Sequence, residues 1–488
     1  MGSQLHFVLF PLMAQGHMIP LIDIARLLAQ HNSFVTILTT PLNAARFKPI
    51  LDRATKSGLK IRLFQLQFPS GKPGLPQGCE NVDMLPSLDK SHIFLTAACE
   101  LEQQAFQLFQ ELNPRPSCII SDMLLPWTIN IAKKWAIPRI SFIGFSCFCM
   151  LCIHNVMVSN VLETITSETE CFTVPGLPDT DSIQLTKLQL PLPPPNNQDM
   201  EEFNNSMKEA EEKSYGLIIN TFEELESAYI KEYKKAKGNK RVWCIGPVSL
   251  CNKDMLDKAE RGNRTSYNEQ ECIKWLDSWE KQTVIYVCLG SISNLMTPQM
   301  VELGLGLEES NRPFIWVLRG GEKSKEIEKW ISESGFEERI KERGMVIKGW
   351  APQVLILSHP AIGGFLTHCG WNSTLEGISA GLPMVTWPLF ADQFCNEKVV
   401  VQVIKIGVSV VGAQKLGEEE QLEVLVKKED IVKGINMLME GGEEKEGRRR
   451  RAKQLGEMAN RATQEGGSSY IDIQLLIQDI MHQIHQPN

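Results

Sequence analysis

The feature that most constrains this chain is a series of short apolar runs that do not alternate in polarity. In the first half these are "LHFVLF", "FVTILTT", "KIRLFQL", "SCIISD", "ISFIG", "GLIINT" and "VWCIG", separated by segments of helical length. A strand with one solvated face alternates apolar and polar residues. An unalternated run is covered on both faces, as a parallel strand beneath crossover helices is. The pattern breaks at the polar stretch "NKDMLDKAERGNRTSYNEQE" (252–271) and restarts with "TVIYVCLGS", "PFIWVLR", "GMVIKGW", "GGFLTH", "MVTWP" and "VSVV". The restart predicts an α/β protein with two doubly wound domains facing each other across a cleft, the polar stretch acting as the linker. With 488 residues and 43% hydrophobic content the chain is too long for one core, since domains commonly run ~100–200 residues. The expected domains are residues 1–250 and 251–465, with a C-terminal helix (466–488) packing back on the first. Thr221 and Glu224 read as a capping box, and Pro20 as part of a first helical turn.

Several classes of function are disfavoured. A net charge of −8 argues against a nucleic-acid surface, and the run Arg448–Arg451 sits among alternating charges that read as a solvated helix face. Thirteen scattered cysteines fit reduced thiols in a cytosolic protein. "MGSQLHFVLF" lacks the basic n-region of a signal peptide, and His6 breaks the myristoylation pattern. The longest apolar run, Ile140–Ile153, has 14 residues, short of the ~20 that span a bilayer; it reads as a strand running into a helix. "DTD" (179–181) imitates a metal-binding motif but reads as a turn, and neither GxGxxG nor a Walker A, GxSxG or HExxH motif is present. No metal or cofactor is expected.

The stretch "LTHCGWNSTLEGISAG" (366–381) ends a core run and then places His368, Gly370, Trp371, Asn372, Ser373 and Glu376 within nine positions. A helix beginning near Asn372 presents free N–H groups and positive partial charge to an anion beyond the strand end. Ser373 and Glu376 also satisfy a capping box without any ligand. His17 follows the first strand and Asp122 closes another, so both lie at the carboxyl end of one sheet. An imidazole there suits a proton acceptor and a carboxylate suits its orienting partner. A structural histidine explains His17 equally well.

Residues Trp350–Gln393, "WAPQVLILSHPAIGGFLTHCGWNSTLEGISAGLPMVTWPLFADQ", closely resemble the signature of the plant secondary-product glycosyltransferases, family 1 UDP-sugar-dependent enzymes of the GT-B architecture. The resemblance extends over essentially the whole chain. It implies that Trp350 stacks on uracil, that the backbone of Ala351 reads the base edge, and that Gln353 and Glu376 hold the ribose. It also implies that His368, Asn372, Ser373 and Ser291 hold the diphosphate, that Trp371, Asp392 and Gln393 face the sugar, and that "AQGHMIP" and "SDMLLPW" carry a catalytic pair, His17 and Asp122. The expected enzyme is a cytosolic monomer that moves glucose from UDP-glucose to a hydroxyl of a lipophilic plant metabolite, a flavonoid or triterpenoid, with inversion. UDP-galactose, UDP-glucuronate or UDP-xylose as donor, and a non-catalytic UDP-sugar-binding protein, are the alternatives; a dehydrogenase is disfavoured by the missing glycine fingerprint. The acceptor is expected against 80–95 and 142–205, with "SFIGFSCFCMLCIHNV" supplying a cysteine-rich and aromatic lining.

Overall fold

A computed structural model describes residues 4–69, 71–178, 182–191, 198–238, 240–263, 267–292, 295–319, 324–410 and 426–485. The first sheet is made of β1 (His6–Phe10), β2 (Phe34–Thr39), β3 (Ile61–Gln65), β4 (Cys118–Asp122) and β5 (Arg139–Ile143). An antiparallel ribbon of β6 (Phe172–Thr173) and β7 (Gln184–Leu185) interrupts it before β8 (Gly216–Ile219) and β9 (Arg241–Cys244). The second sheet comprises β10 (Val284–Cys288), β11 (Phe314–Leu318), β12 (Gly344–Lys348), β13 (Ile362–Thr367), β14 (Met384–Thr386) and β15 (Gly407–Ser409). Both large sheets are parallel throughout. Their orders are β3-β2-β1-β4-β5-β8-β9 and β12-β11-β10-β13-β14-β15, so each reverses direction beside its own first strand. Every apolar run named above lies on one of these strands. Each residue of β1, β4, β5, β8 and β13 is buried, which is why those runs do not alternate.

Helices cover both faces. Fully burying a Phe, Leu or Ile contributes ~1.5–3 kcal/mol, and Phe7, Leu9, Ile119, Ile140, Tyr286, Phe314 and Phe365 are all wholly buried. The C-terminal helix Ser468–His485 lies on the first sheet. Its Ile473, Leu476 and Ile480 join that sheet's core, and Asp472 accepts the Cys244 N–H at 2.6 Å. Among the described residues no helix is long and apolar enough to cross a membrane. The "DTD" stretch lies outside the described residues.

Four local expectations are corrected. Helix α1 (Gln15–Gln30) starts well before Pro20, which sits inside it. The helix Glu223–Ala236 has no side-chain cap, because Thr221 instead donates to the buried Glu226, which in turn accepts the Cys147 and Phe148 N–H groups. Glu226 therefore caps the helix Cys147–Ser159. That helix packs its Cys147, Phe148, Cys149, Met150, Leu151 and Cys152 into a core shared with Tyr229, Tyr233 and, from the second domain, Cys395 and Val399. It is core rather than ligand lining, and all thirteen cysteines are free thiols. Arg448 is buried rather than solvated, donating to Met437 O and to Glu444.

Strand β13 leaves no room for a side chain at Gly363, where a Cβ would meet Gln282 O at 2.2 Å. Gly363→Ala is expected to destabilise the protein by about 1–3 kcal/mol through overpacking, read as a fall of several degrees in the thermal midpoint. Gly441→Ala, with nothing within 4 Å of the added carbon, should leave the midpoint unmoved. Equal midpoints for the two variants would contradict this packing.

Candidate active site

In open parallel sheets ligands bind beyond the carboxyl ends of the strands, where the strand order reverses. In the first sheet that point lies between β1 and β4, whose last register pair is Phe10–Ser121. His17 enters from the first turn of α1, and Asp122 is the last residue of β4. His17 Nδ1 lies 2.7 Å from Asp122 Oδ2. Asp122 is fully buried, whereas the His17 side chain keeps 23% of its surface exposed. The other Asp122 oxygen accepts the Leu124 N–H at 3.0 Å. A carboxylate can only accept, so Nδ1 carries the proton and Nε2 is the basic nitrogen. Burial works against the imidazolium, but the charge and hydrogen bond of Asp122, assisted by Asp392, outweigh it. The His17 pKa is accordingly raised above the usual 6.5.

The second sheet reverses between β10 and β13. Ser291 follows the first of these strands and His368 the second. Gly290 has φ +88°, and a Cβ there would meet His368 Nε2 at 2.5 Å, so only glycine lets the two loops come this close. Burial holds the His368 imidazole down at about 4, against a smaller opposing contribution from the Cys288 carbonyl. It is neutral at ordinary pH. The helix Trp371–Ser379 begins beside it, with Gly370 as N-cap and no side chain capping the first turn. The alternative role of Ser373 and Glu376 as a capping box is thus not realised. Gln353 Nε2 donates to Ser373 Oγ at 3.0 Å and to Glu376 Oε2 at 2.7 Å. The first-turn N–H groups of this helix are left for an anion.

The two switch points face each other because the domains are stitched at the loops themselves. Pro20 has no N–H, so the Gly16 carbonyl four residues earlier lacks its usual helical donor, and it accepts the Asn372 side-chain amide instead. The Asn372 oxygen accepts from Asn220 Nδ2 at 3.0 Å, and the Trp371 indole donates to Asn220 O at 2.7 Å. The Asn372 amide is thus engaged at both ends, and Trp371 is only 2% exposed. Neither engagement was visible in sequence, because both involve a residue more than 150 positions away.

Farther along the cleft, Trp350 stands half-buried with its indole donating to Arg261 O at 3.1 Å. Gly262, at φ +95°, lies against that ring; a Cβ would come within 2.5 Å of Trp350 Cζ2. Buried Ala351 and the Gln353–Glu376 pair continue the wall. Gln393 spends its side-chain oxygen on the N–H groups of Leu389 and Phe390, at 2.8 and 3.2 Å, leaving its amide hydrogens for the cavity. Asp392 is buried beside Asn396, and burial first, then the Cys395 thiol, pushes its pKa up to about 7. Among the described residues no group of three or more His, Cys, Asp or Glu could hold a metal ion.

His17, Ser291, Trp350, Ala351, Gln353, His368, Trp371, Asn372, Ser373, Glu376, Asp392 and Gln393 line one cavity of about 1030 Å³, and Asp122 stands behind His17. Its apolar lining comes largely from the first half of the chain and includes Val82, Met84, Leu88, Leu95, Met123, Leu124, Phe145, Leu190, Met200, Phe203 and Met207. Phe145 and Gly144 are the lining residues of the run Ser141–Val156; its cysteines are not among them. Sequence reasoning also missed Gln15, Asp83, Asn263 and Arg319, which close the cleft opposite the helix. Gln15 donates to Asn263 at 2.9 Å, Arg46 pairs with Asp83 at 2.9 Å, and Arg319 reaches the Asp83 carbonyl.

Residues 255–431 match the family described as UDP-glucoronosyl and UDP-glucosyl transferase. UDP-glycosyltransferase 73C25 of Barbarea vulgaris and 73C5 of Arabidopsis thaliana are each 56% identical to this chain, covering 100% of it and 98% of the relative. Glycyrrhiza uralensis UGT73P12, solved with glycyrrhetinic acid 3-O-monoglucuronide, superposes with a TM-score of 0.90 at 39% identity, over 99% of this chain and 96% of that one. Arabidopsis thaliana UGT89C1, solved with UDP-L-rhamnose, gives 0.77 at 29% identity over 99% and 100%. Twin parallel sheets whose switch points meet across one cleft, together with these full-length likenesses, establish that the chain belongs to the family 1 UDP-glycosyltransferases, enzymes of the GT-B fold.

Proposed function

We propose that this enzyme transfers glucose from UDP-glucose to a hydroxyl of a lipophilic plant metabolite, with inversion at the anomeric carbon. The observation that carries the reading is the His17–Asp122 pair, 2.7 Å apart, facing an uncapped helix N-terminus across a partly apolar cavity. In this mechanism His17 Nε2 takes the acceptor proton while the acceptor oxygen attacks the anomeric carbon from the face opposite the diphosphate. The bond to the diphosphate breaks, and UDP leaves with the electron pair. Asp122 stabilises the imidazolium that forms. Ser291, Ser373, the neutral His368 and the first-turn N–H groups, that of Asn372 among them, receive the charge developing on the diphosphate. Trp350 stacks on uracil, the Ala351 backbone reads its edge, and Gln353 with Glu376 takes the ribose.

Residues 1–250 with the terminal helix 466–488 hold the acceptor in this scheme, and 251–465 hold the donor. The Gln393 amide and the Asp392 carboxyl face the sugar hydroxyls, and Trp371 backs them as part of the wall. Glucose is favoured over glucuronate because the cavity arginines are engaged: Arg46 with Asp83, Arg261 with Asp23 and Glu376, and Arg319 with the Asp83 carbonyl. The methionine-rich wall of Met84, Met123, Met200 and Met207 adapts to shape. It suits a bulky, largely aliphatic acceptor, in keeping with the triterpenoid glucuronide bound by UGT73P12. We place the enzyme in the cytosol on the strength of its acidic charge and free thiols, and propose that it acts as a monomer without a metal.

Three outcomes test the scheme. Trp350→Ala should weaken UDP binding by ~1–3 kcal/mol, and Gly262→Ala should weaken it too by displacing the ring. Calorimetry with UDP alone reads both, and unchanged affinities would place the base elsewhere. His17→Ala should lower kcat by ~10²–10⁴ while UDP affinity stays near wild type; undiminished turnover on an aliphatic alcohol would remove His17 from the mechanism. The third outcome concerns pH. A base works unprotonated, so kcat/KM should rise with pH through the His17 pKa, placing the acid limb above 6.5. Asp122→Asn removes the main cause of the upward shift and should move that limb to lower pH as well as slowing turnover. A limb that stays in place would mean another group titrates there.

A further inference from the structure

The linker segment Asn252–Asn263 is polar in sequence, yet Asn252, Asp257 and Arg261 are buried, and one of these residues sits at the nucleotide end of the cleft. Arg261 is 8% exposed. Its Nη2 and Nε reach Asp23 Oδ2 at 2.6 and 3.2 Å, and its Nη1 reaches Glu376 Oε1 at 2.5 Å. Asp23 is 1% exposed and Glu376 8%. One guanidinium thus lies between two buried carboxylates from different domains. Its anchor is firm on the linker side. Asn252 donates to the other Asp23 oxygen at 2.9 Å, Arg53 Nε donates to Asp257 at 3.0 Å, and Arg26 also pairs with Asp257.

We propose that Arg261 is a positioning residue for nucleotide recognition, orienting the Glu376 carboxylate for the ribose hydroxyls through the buried triad Asp23–Arg261–Glu376. The inference rests on the reading above that Glu376 receives the ribose. A carboxylate removed from water is costly unless it is paired and hydrogen-bonded. Arg261 and Gln353 occupy one site on each Glu376 oxygen. An ionised carboxylate has about four acceptor sites, so two remain for a pair of vicinal hydroxyls. Neither partner can turn away: Gln353 is also tied to Ser373, and Arg261 is tied to α1. The arginine fork matters because two donors at fixed separation serve both carboxylates at once, which the point charge of a lysine does not. The same residue's carbonyl takes the Trp350 indole N–H at 3.1 Å. One linker position therefore sets both the wall beside the base and the acceptor for the sugar ring.

The test compares dissociation constants for UDP and for 2′,3′-dideoxy-UDP, so that losses of stacking or of diphosphate contacts cancel in the ratio. Wild type should prefer UDP by about tenfold or more, the range of hydrogen bonds to a charged group. Glu376→Gln, the reference, should bring the ratio close to one. Arg261→Gln should also shrink the ratio to within about threefold. If Arg261→Gln weakens both nucleotides equally and keeps the wild-type ratio while Glu376→Gln loses it, the ribose reading stands and Arg261 is only structural. Should Glu376→Gln itself keep the wild-type ratio, both readings fall. Circular dichroism checks the fold, and if Arg261→Gln does not fold, the double variant Asp23→Asn, Arg261→Gln, with one buried charge fewer, is read in the same way.

Discussion

A carboxylate with no exposed surface needs every lone pair it can place, and Asp122 meets that demand at the end of β4. Its oxygens take the Leu124 N–H and the His17 imidazole, and its carbonyl takes Arg139 Nη2 at 3.3 Å. Arg139 is itself 2% exposed and is held by Thr128 and Ser214; burial lowers its pKa to about 10. The catalytic reading depends on this arrangement. A histidine in the first turn of a helix is free to rotate, and the buried acceptor behind it selects one tautomer and one ring orientation. Because β1 and β4 are adjacent parallel strands, their carboxyl ends open on the same side, and the pair lies where the sheet leaves a crevice.

The second sheet repeats the construction with a different chemistry. Ser291 and His368 flank its switch point as His17 and Asp122 flank the first, and no side chain caps the helix that starts there. What brings the His17–Asp122 pair to face the start of the helix Trp371–Ser379 is a set of interdomain contacts that depend on small sequence details. Pro20 frees the Gly16 carbonyl for Asn372, Asn220 holds Asn372 and Trp371, and the buried Asp23–Arg261–Glu376 triad joins α1 to the helix that starts at Trp371. Asp23 lies six residues after His17 on α1, about 9 Å along the axis at 1.5 Å per residue. His17 and the anchor of the triad are therefore carried by one rigid element.

Much of this was legible in sequence for a physical reason. Parallel strands covered on both faces are apolar at every position, so each named run marks a strand, and residues that end such runs, His368 and Asp122 among them, must lie at the sheet's carboxyl edge. The signature helix was legible because its polar residues crowd a place where core is expected. The illegible part consists of pairings between distant positions. Arg261 and Asp23 are 238 residues apart, and Arg261 and Glu376 are 115 apart; a lone arginine in a polar stretch looks solvated. Glu226 likewise resembles any acidic residue of a first helical turn, yet it caps another helix 78 residues earlier. The cysteine-rich run was misplaced because apolar composition says that a helix is covered, and not whether a ligand or another helix covers it.

Direct displacement by an oxygen that His17 has activated fixes the stereochemistry of the product, and that is the most direct test of the account. The glucosylated acceptor should be isolated from a short incubation with UDP-α-glucose, and the coupling between the first two ring protons read by proton NMR. The large coupling of a β-glycoside is expected for every acceptor the enzyme accepts. The small coupling of an α-glycoside would contradict the account, because retention requires either a covalent glycosyl-enzyme or attack from the same face as the departing diphosphate, and neither is the role assigned here to His17 and Asp122.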